Sequence, residues 1–263
     1  MASGGSRTRL RLGDVEVARV GLGTNQLTNT PERVAFIKEA VASGLNHIDT
    51  AHTYTDGESE QTIGAAFSPK PDGCILASKG GYAPGHGRPE ILRAQIDESL
   101  RRLRTEAIDL YYLHRVDPET PFEDSVGALA EARAAGKVRH IGLSKVDVDQ
   151  IERARAIAPI AAVQNHYNLS ERGSDDVIDH CAREGIVFVP YYPLEGGDER
   201  ALEEIAEGHD TTPMQIRLAW LLHRSPMTLP IPGTLSLEHL RQNLAALDIE
   251  LTGDEFEALS GGS

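Results

Sequence analysis

The sequence predicts one α/β domain over residues 1–263, a (β/α)8 barrel (TIM barrel) with an N-terminal β-hairpin at its bottom. Eight short apolar runs alternate with segments of helical period along the 263-residue chain, and no change in composition marks a linker. The runs begin about 23 to 42 residues apart, a spacing typical of parallel strands connected by helices. A doubly wound open sheet is the alternative, which is weakened because no GxGxxG motif opens a helix.

The β elements follow from one turn and from the apolar runs. Gly13-Asp14 separates Thr8–Leu12 from Val15–Ala18, a pattern typical of a β-hairpin, and we expect this hairpin to close the bottom of the barrel. The predicted barrel strands are Val20–Gly23, Asn46–Asp49, Cys74–Ser78, Ile108–Leu113, Val138–Leu143, Ala161–Gln164, Ile186–Pro190 and Thr228–Ile231.

The helices between the strands are predicted from apolar residues that recur three and four positions apart, as one buried stripe requires. Three such stripes are Val34, Ile37 and Val41; Leu92, Ile96, Leu100 and Leu103; and Leu237, Leu240, Leu244 and Leu247. Thr30-Pro31 and Thr212-Pro213 each supply an N-cap followed by proline at the first helical position, so we expect helices to begin there.

The charge balance excludes several classes of partner. Lys and Arg number 26 against 40 Asp and Glu, so the formal net charge is −14. Such a chain lacks the basic surface that nucleic acid or an anionic membrane requires.

The sequence also bears on location. It has no run of roughly 18 apolar residues, and residues 1–6 lack the apolar segment of a secretory signal. Two cysteines, Cys74 and Cys181, fit reduced thiols, and we expect a cytoplasmic location. The Gly/Ser-rich ends, residues 1–6 and 261–263, are expected to be flexible.

Four side chains that can carry proton chemistry follow consecutive strands. Asp49, Lys79 and His114 stand at the carboxyl ends of the second, third and fourth strands, and Tyr54 lies in the loop after Asp49. The carboxyl ends of barrel strands meet at one rim, so these side chains are expected to lie close together. A Lys ammonium beside a Tyr hydroxyl would lower the phenol pKa from its usual value near 10.

This set suits reduction of a carbonyl by an external hydride donor. Asp49 could hold the ammonium of Lys79, and His114 could donate a hydrogen bond to the carbonyl oxygen. The protein would then supply only a proton, orientation and charge stabilisation. Each residue also has an ordinary structural explanation, because a strand-end Asp can cap a helix, a loop Tyr can pack in a core, and a rim Lys or His can be solvated.

Six short segments match a known pattern along the chain. They are Ile48-Asp49-Thr50-Ala51 with Tyr54, Leu76-Ala77-Ser78-Lys79, Leu110-Tyr111-Tyr112-Leu113-His114, Val138–Ser144, Val163–Asn168 and Ile231-Pro232-Gly233. In this order they resemble the signatures of the aldo-keto reductase superfamily. The resemblance implies a (β/α)8 barrel that binds NADPH or NADP across the carboxyl rim. It also implies that Tyr54 is the general acid, that Lys79 and Asp49 tune it, and that His114 orients the carbonyl oxygen.

The resemblance further implies a cofactor site along this rim. The residues implied are Gly23, Thr24, Asn25, Asp49, Ser144, Gln164, Tyr191, Pro193, Leu194, Ile231, Gly233, Thr234, His239, Gln242 and Asn243. Ser144 and Gln164 would hold the carboxamide and Tyr191 would stack on the nicotinamide. By themselves, the first two could equally cap strand ends and the third could be a core aromatic residue.

The sequence departs from the family pattern at four residues and in the loop after the seventh strand, Glu195-Gly196-Gly197, which is short as in short-loop bacterial members and leads us to expect an open pocket. Lys145 stands where many relatives have Asn beside the carboxamide. Gly233 and His239 replace basic residues, Gln242 replaces a frequent Glu, and His neutralises a phosphate less well than Arg. The resemblance implies NADPH as the coenzyme, and NADH use is left open.

Two other classes of function are alternatives. A cofactor-sensing or scaffold protein of the same fold would carry the same four residues and turn over slowly. A metal-dependent hydrolase would use Asp and His at strand ends, but no HxH follows the first strand and Lys79 would compete for the site. For the reductase, the partner is a small-molecule carbonyl compound of unspecified identity, and a monomer is favoured although the oligomeric state is not readable.

Overall fold

The structure, a computed structural model, describes residues 7–261 of the chain. Residues 1–6, 262 and 263, where most of the predicted flexible ends fall, lie outside the described residues. Within residues 7–261 the strands form a two-stranded antiparallel sheet and a seven-stranded parallel sheet. The parallel strands pair in chain order, as in a curled (β/α)8 barrel, and this confirms the predicted fold class.

The parallel sheet begins after the hairpin and runs through most of the predicted strands. Its strands are β3 (Leu22–Gly23), β4 (His47–Asp49), β5 (Ile75–Gly80), β6 (Ile108–Leu113), β7 (Val138–Ser144), β8 (Ile160–Gln164) and β9 (Val187–Phe188). β3 and β9 are shorter than the predicted runs Val20–Gly23 and Ile186–Pro190. Both strands lie next to the segment from Thr228 to Gly233, which closes the barrel and pairs with them only through isolated bridges.

The predicted eighth strand, Thr228–Ile231, is not a regular strand, and this prediction was wrong. The segment makes isolated parallel bridges to Phe188 of β9 and, two residues beyond Ile231, to Gly23 of β3. Pro230 and Pro232 have no backbone N–H and cannot donate to a ladder, although their carbonyl oxygens accept hydrogen bonds at and just before β3. The segment therefore closes the barrel without completing an eighth ladder.

The N-terminal hairpin lies at the bottom of the barrel, as predicted. β1 (Arg9–Leu12) and β2 (Val15–Ala18) pair antiparallel, with Leu12 opposite Val15 across the turn. In the turn, Asp14 Oδ1 lies 3.0 Å from Nε2 of His140, near the start of β7. The amino ends of the strands are thus covered, and the carboxyl ends are left for a binding site.

Helices connect the strands and surround the sheet. They are α1 (Pro31–Ala42), α2 (Glu58–Ala66), α3 (Pro89–Leu103), α4 (Phe122–Ala134), α5 (Val148–Arg155), α6 (Asp175–Glu184), α7 (Glu199–Gly208), α8 (Pro213–Arg224), α9 (Leu237–Ala245) and α10 (Gly253–Ser260), with 3-10 turns at Tyr54–Gly57 and Ala246–Asp248. The predicted caps are confirmed, since Thr30 and Thr212 accept hydrogen bonds at the starts of α1 and α8. Every helix between residues 7 and 261 is too short or too polar to cross a bilayer.

Two apolar layers hold the barrel together. The inner layer fills the barrel and includes Ile75 and Ala77 of β5, Leu110 of β6 and Leu12 of the hairpin. The outer layer lies between the strands and the helices and includes Leu76. Successive residues of one strand therefore face opposite layers, as the period of two in a β-strand requires.

Candidate active site

The alternation along the strands determines which side chains reach the carboxyl rim. Ile75 and Ala77 face the barrel interior, so Lys79, two residues further along β5, continues on the same face. Tyr112 of β6 also faces inward, and His114 follows it by two residues just beyond the end of β6. The top of the barrel interior is therefore lined by polar side chains above an apolar filling.

A buried ion pair forms the floor of this rim. Lys79 and Asp49 are 0% and 1% exposed, and the ammonium of Lys79 donates to Asp49 Oδ1. The same ammonium donates to the Thr50 carbonyl at 2.9 Å and to the Tyr54 hydroxyl at 3.1 Å. Gln164 Nε2 donates to the other oxygen of Asp49 at 2.9 Å. Every donor of Lys79 is thereby used, and its position is fixed from several strands.

Tyr54 begins the 3-10 turn Tyr54–Gly57 that follows β4. The next two residues, Thr55 and Asp56, have φ angles of 45° and 53°, in the left-handed region that non-glycine residues rarely adopt. The hydroxyl of Thr55 donates to the Leu27 carbonyl at 2.8 Å and holds this turn in place. The tight turn directs the Tyr54 ring back over Lys79, whose Nζ lies 4.7 Å from the ring centre.

The electrostatic state of Tyr54 differs from the sequence-based expectation. Burial raises the pKa of the phenol, and this effect exceeds the lowering by the nearby ammonium of Lys79. For Lys79, burial opposes the charge, but Asp49 and Tyr54 outweigh burial and raise its pKa. The prediction of an unusually acidic phenol was therefore wrong, because desolvation dominates, and Tyr54 keeps its proton at neutral pH.

His114 lies against two tyrosine rings. Its ring centre is 6.0 Å from that of Tyr54 in an edge-on contact and 4.8 Å from that of Tyr82. Burial, together with the positive charges of Lys79, Lys145 and Arg115, lowers the pKa of His114 to about 2. The imidazole is therefore neutral near pH 7. Its Nδ1 is buried and has no hydrogen-bond partner among the described residues.

A cleft of about 640 Å³ opens at the carboxyl ends of the strands and brings most of the predicted site residues together. The predicted residues that line it are Gly23, Thr24, Asn25, Asp49, Tyr54, His114, Ser144, Gln164, Tyr191, Pro193, Leu194, Ile231, Gly233 and Thr234. Lys79 lies directly beneath the lining, bonded to Asp49 and Tyr54. The cleft therefore unites residues from many separate strand ends.

Three of the predicted cofactor residues do not line this cleft. His239, Gln242 and Asn243 lie on α9, beyond the end of the cleft at Leu235. His239 is exposed, Gln242 Nε2 donates to Glu238 at 3.2 Å, and Asn243 is buried.

Sequence reasoning missed several lining residues. They are Gln26, Thr53, Pro232, Leu235 and Glu195. It also missed His166, which stacks on Tyr191 with ring centres 5.2 Å apart and planes 9° apart. The alternation of β8 could have found it, because His166 lies two residues beyond Gln164 on the same side. Loop residues such as Gln26 have no comparable period.

The chemistry of this donor set is proton transfer and stabilisation of a developing oxyanion. It joins one phenol, one ammonium, one neutral imidazole and one carboxylate. Across residues 7–261, no group of three or more His, Cys, Asp or Glu side chains is arranged as a metal site.

Comparison with known proteins identifies relatives over the whole described chain. The sequence profile of the Aldo/keto reductase family matches residues 19–200 and 198–261. The chain is 37% identical to pyridoxine 4-dehydrogenase of Escherichia coli over 281 residues, which cover 97% of this chain and 98% of the relative. It is 36% identical to an uncharacterized oxidoreductase of Schizosaccharomyces pombe over 270 residues, which cover 95% of this chain and 88% of the relative.

Solved structures give the same result. A thermostable aldo-keto reductase bound to the inhibitor epalrestat superimposes with a TM-score of 0.90 at 34% identity, covering 97% of this chain and 99% of that one. An aldo/keto reductase of Klebsiella pneumoniae in complex with NADP and acetate gives a TM-score of 0.87 at 31% identity, with 97% and 94% covered. With profile, sequence and structure in agreement, the chain belongs to the aldo-keto reductase family.

Proposed function

We propose that this protein reduces an aldehyde or ketone to the alcohol, with NADPH as hydride donor and Tyr54 as proton donor. Family membership supplies the class of reaction, oxidoreduction. The observation that carries the proposal is the hydrogen bond from the buried Lys79 ammonium to the Tyr54 hydroxyl, on the floor of an open cleft beside His114. Among the described tyrosines of the cleft, Tyr54 is the one whose hydroxyl accepts a hydrogen bond from a buried ammonium.

The proton is held at the Tyr54 hydroxyl oxygen. Because burial keeps the pKa of the phenol high, the hydroxyl stays protonated until a neighbouring oxygen gains negative charge. The Lys79 ammonium, 3.1 Å away, stabilises the phenolate that remains after transfer. Asp49 accepts a hydrogen bond from the same ammonium and keeps it beneath the hydroxyl. A bound dihydronicotinamide supplies the hydride.

His114 orients the carbonyl oxygen in this proposal. A pKa of about 2 leaves the ring neutral over the physiological range, so one ring nitrogen carries a proton and can donate a hydrogen bond. A neutral donor does not compete with Tyr54 for the role of acid. The edge-on contact with the Tyr54 ring keeps both groups on the same side of the cleft.

The cleft residues fit an extended dinucleotide. A volume of about 640 Å³ is within the usual size of cofactor sites. Tyr191 is stacked on His166 by one face and lines the cleft, so its other face can serve as a platform for a planar ring. Gln164 donates its amide N–H to Asp49, which leaves its side-chain oxygen to accept from a carboxamide. Ser144 lies beside it in the lining.

NADPH is our first choice of coenzyme, with NADH as the alternative. Relatives from Klebsiella pneumoniae were crystallised with NADP and with NADPH. The 2′-phosphate would lie toward Thr234 and the start of α9, where the cap residue Ser236 precedes the exposed His239. A single histidine contributes less charge to a phosphate than an arginine would, so we expect the preference for NADPH to be modest.

The test of the proposal is the variant Tyr54→Phe. We expect loss of at least about a hundredfold in kcat, since a positioned acid contributes on the order of 10²–10⁴. NADPH binding should be retained, because the substitution removes one oxygen atom at the floor of the cleft. NADPH oxidation is followed by absorbance with a panel of aldehydes and ketones, and NADPH binding by fluorescence. Turnover that survives in Tyr54→Phe would remove Tyr54 from the role of acid.

A further inference from the structure

Two cations lie beside Tyr82, an aromatic residue of the cleft lining. Lys145 lines the cleft, and its Nζ lies 5.6 Å from the centre of the Tyr82 ring and 5.9 Å from that of Tyr191. The Arg115 guanidinium lies 6.0 Å from the Tyr82 ring centre. Tyr82 packs on His114 with ring centres 4.8 Å apart. Lys145, Arg115 and His114 therefore all lie beside the ring of Tyr82, and His114 is the residue that we propose orients the carbonyl oxygen.

Neither Lys145 nor Arg115 has an acidic partner within residues 7–261. Several other arginines among these residues do have one, such as Arg153, whose guanidinium lies 2.6 Å from Glu123. The carboxylates in the cleft lining are engaged elsewhere. Asp49 pairs with Lys79, and Glu195 lies 3.9 Å from His166. The chain as a whole has a net charge of −14. The region around Lys145 and Arg115, beside the proposed active site, is therefore locally positive on a negatively charged protein.

The two cations repel one another. Partial burial lowers the pKa of Lys145, and the charge of Arg115 lowers it further. An anion bound to both would offset this repulsion and favour the charged form of Lys145.

The backbone of Lys145 is also unusual. Its φ is 59°, in the left-handed region, and its N–H donates to the Gln164 carbonyl at 3.1 Å. For a lysine this conformation costs about 1–2 kcal/mol relative to the extended or helical regions. Backbone strain of this kind is concentrated at sites where the side chain has a use. Here it keeps the Lys145 side chain over the cleft, within reach of Tyr82 and Tyr191.

We propose that Lys145 and Arg115 bind an anionic group of the substrate, so that the enzyme prefers aldehydes and ketones bearing a carboxylate or a phosphate a few bonds from the carbonyl carbon. This inference rests on the proposed carbonyl reduction. The oxyanion accepts charge-assisted hydrogen bonds from the two cations. The 43% exposed Tyr82 ring covers the hydrocarbon between the anionic group and the carbonyl.

The test compares two substrates that differ in one charge, 4-formylbenzoate and its methyl ester, with NADPH in excess. We expect kcat/KM to favour the acid by about tenfold in the wild-type enzyme, as charge-assisted contacts of this kind allow. The ratio should approach one in Lys145→Met and persist in Lys145→Arg, which keeps the charge. Lys38→Met removes the same charge from the exposed side of α1 and should leave the ratio unchanged. Added salt should lower the ratio.

Equal use of acid and ester by the wild-type enzyme, or the same ratio in wild type and Lys145→Met, would overturn the proposal. If the wild-type enzyme reduces neither compound, the proposed carbonyl reduction is decided by the panel of aldehydes and ketones, and the anion site is tested without turnover. Anion binding would then be read by calorimetry with 4-(hydroxymethyl)benzoate, which needs no turnover. Weaker binding to Lys145→Met than to Lys38→Met would support the anion site, and equal binding would contradict it.

A second pair of substrates distinguishes the two sources of the oxyanion. Glyceraldehyde 3-phosphate is compared with glyceraldehyde in the same variants. A larger charge ratio than for the benzoate pair, again lost in Lys145→Met, would identify phosphate as the preferred group. A smaller ratio would identify carboxylate.

Discussion

Among single residues, the Lys79–Asp49 pair would serve the proposed reaction more than the stability of the fold. Two fully buried charges lose their hydration, and their attraction roughly repays that cost. The ammonium nevertheless contacts Tyr54, and Asp49 is held from the far side by Gln164. The pair is therefore best understood as a means of fixing a positive charge beneath a phenol.

His47 is a buried histidine that the proposed reaction does not use. It lies in β4, two residues before Asp49, and neither ring nitrogen has a hydrogen-bond partner among the described residues. Burial lowers its pKa from 6.5 to about 4, so the ring is neutral in the folded protein at neutral pH. The unfolded chain binds a proton near pH 6.5, whereas the folded protein does so only near pH 4.

We therefore predict that His47 reduces stability as the pH falls from 6.5 to about 4, with no further loss below that range. The difference between a pKa of 6.5 in the unfolded chain and about 4 in the folded protein corresponds to about 3 kcal/mol in the free energy of unfolding. In His47→Leu the fall in stability over this range should be smaller by about that amount. Urea unfolding at several pH values measures it, with His239→Leu, a change at an exposed histidine, as the control. Parallel pH profiles for wild type and His47→Leu would contradict the prediction.

At the scale of elements, the loop between β5 and α3 is held by a residue from the next loop. Asp117 accepts hydrogen bonds from the backbone N–H groups of Gly85 and Gly87 at 2.9 and 2.8 Å. It also accepts from the Thr120 hydroxyl at 2.7 Å. Burial opposes its charge, but these hydrogen bonds outweigh burial and lower the pKa of Asp117 to about 2. The loop that carries Tyr82 onto His114 is thus tied to the loop after β6.

The variant Asp117→Ala should release this loop. We expect a loss of about 3 kcal/mol in stability, since several hydrogen bonds to a buried carboxylate are removed. Hydrogen exchange at Gly85 and Gly87 should become faster, and KM for the carbonyl substrate should rise because Tyr82 is less well positioned. Glu123→Ala, which removes an exposed ion pair with Arg153 outside this loop, is the control. Unchanged exchange at both glycines would show that the loop is held by other contacts.

The closing segment shows what a pattern of apolar residues leaves open. Thr228–Ile231 has the composition of a buried strand, and it occupies the position of one between β9 and β3. Pro230 and Pro232 remove two donors, so the ladder is reduced to isolated bridges. The hydrophobic pattern predicted the place of this segment correctly. Its hydrogen bonds depend on where the backbone of β9 and of β3 lies relative to Pro230 and Pro232. A pattern of apolar residues carries no information about that placement.

At the scale of the whole molecule, the proposed cofactor site depends on the closed barrel. Residues from the segment after β3, from the ends of β7 and β8, and from the closing segment all line one cleft. A ligand that contacts these elements binds the folded state and not the unfolded chain. Binding should therefore stabilise the entire domain.

We predict that NADPH at about a hundred times its Kd stabilises the protein by about 2.7 kcal/mol. For a chain of this size, this raises Tm by roughly 5–10 °C. Thermal unfolding followed by circular dichroism with increasing NADPH measures the shift, and Tyr54→Phe should show the same one. NADH at the same concentrations should give a smaller shift. Absence of any shift with either nucleotide would contradict the proposed coenzymes.

Much of the site was predictable because two periodic rules apply to it. Barrel strands end at one rim, and alternate residues of a strand share a face, so Lys79 and His114 could be expected near Asp49. Tyr54 was harder, because its orientation depends on the left-handed turn at Thr55 and Asp56. The residues on α9 were predicted by resemblance and lie outside the cleft lining. The position of a helix that follows the last strand is not determined by the strand alternation or by the common rim.

The amino-acid sequence was enough to predict the class of fold, the strand order and the meeting of Asp49, Tyr54, Lys79 and His114 at one rim. These follow from hydrophobic period, turn and cap residues and family motifs, which are local properties of the chain. The irregular closure of the barrel, the neutral state of His114 and the raised pKa of Tyr54 came to light only with the folded structure. The same holds for the lack of an acidic partner for Lys145 and Arg115 among residues 7–261. Burial and charge balance depend on which distant side chains are brought together, and no local pattern specifies that.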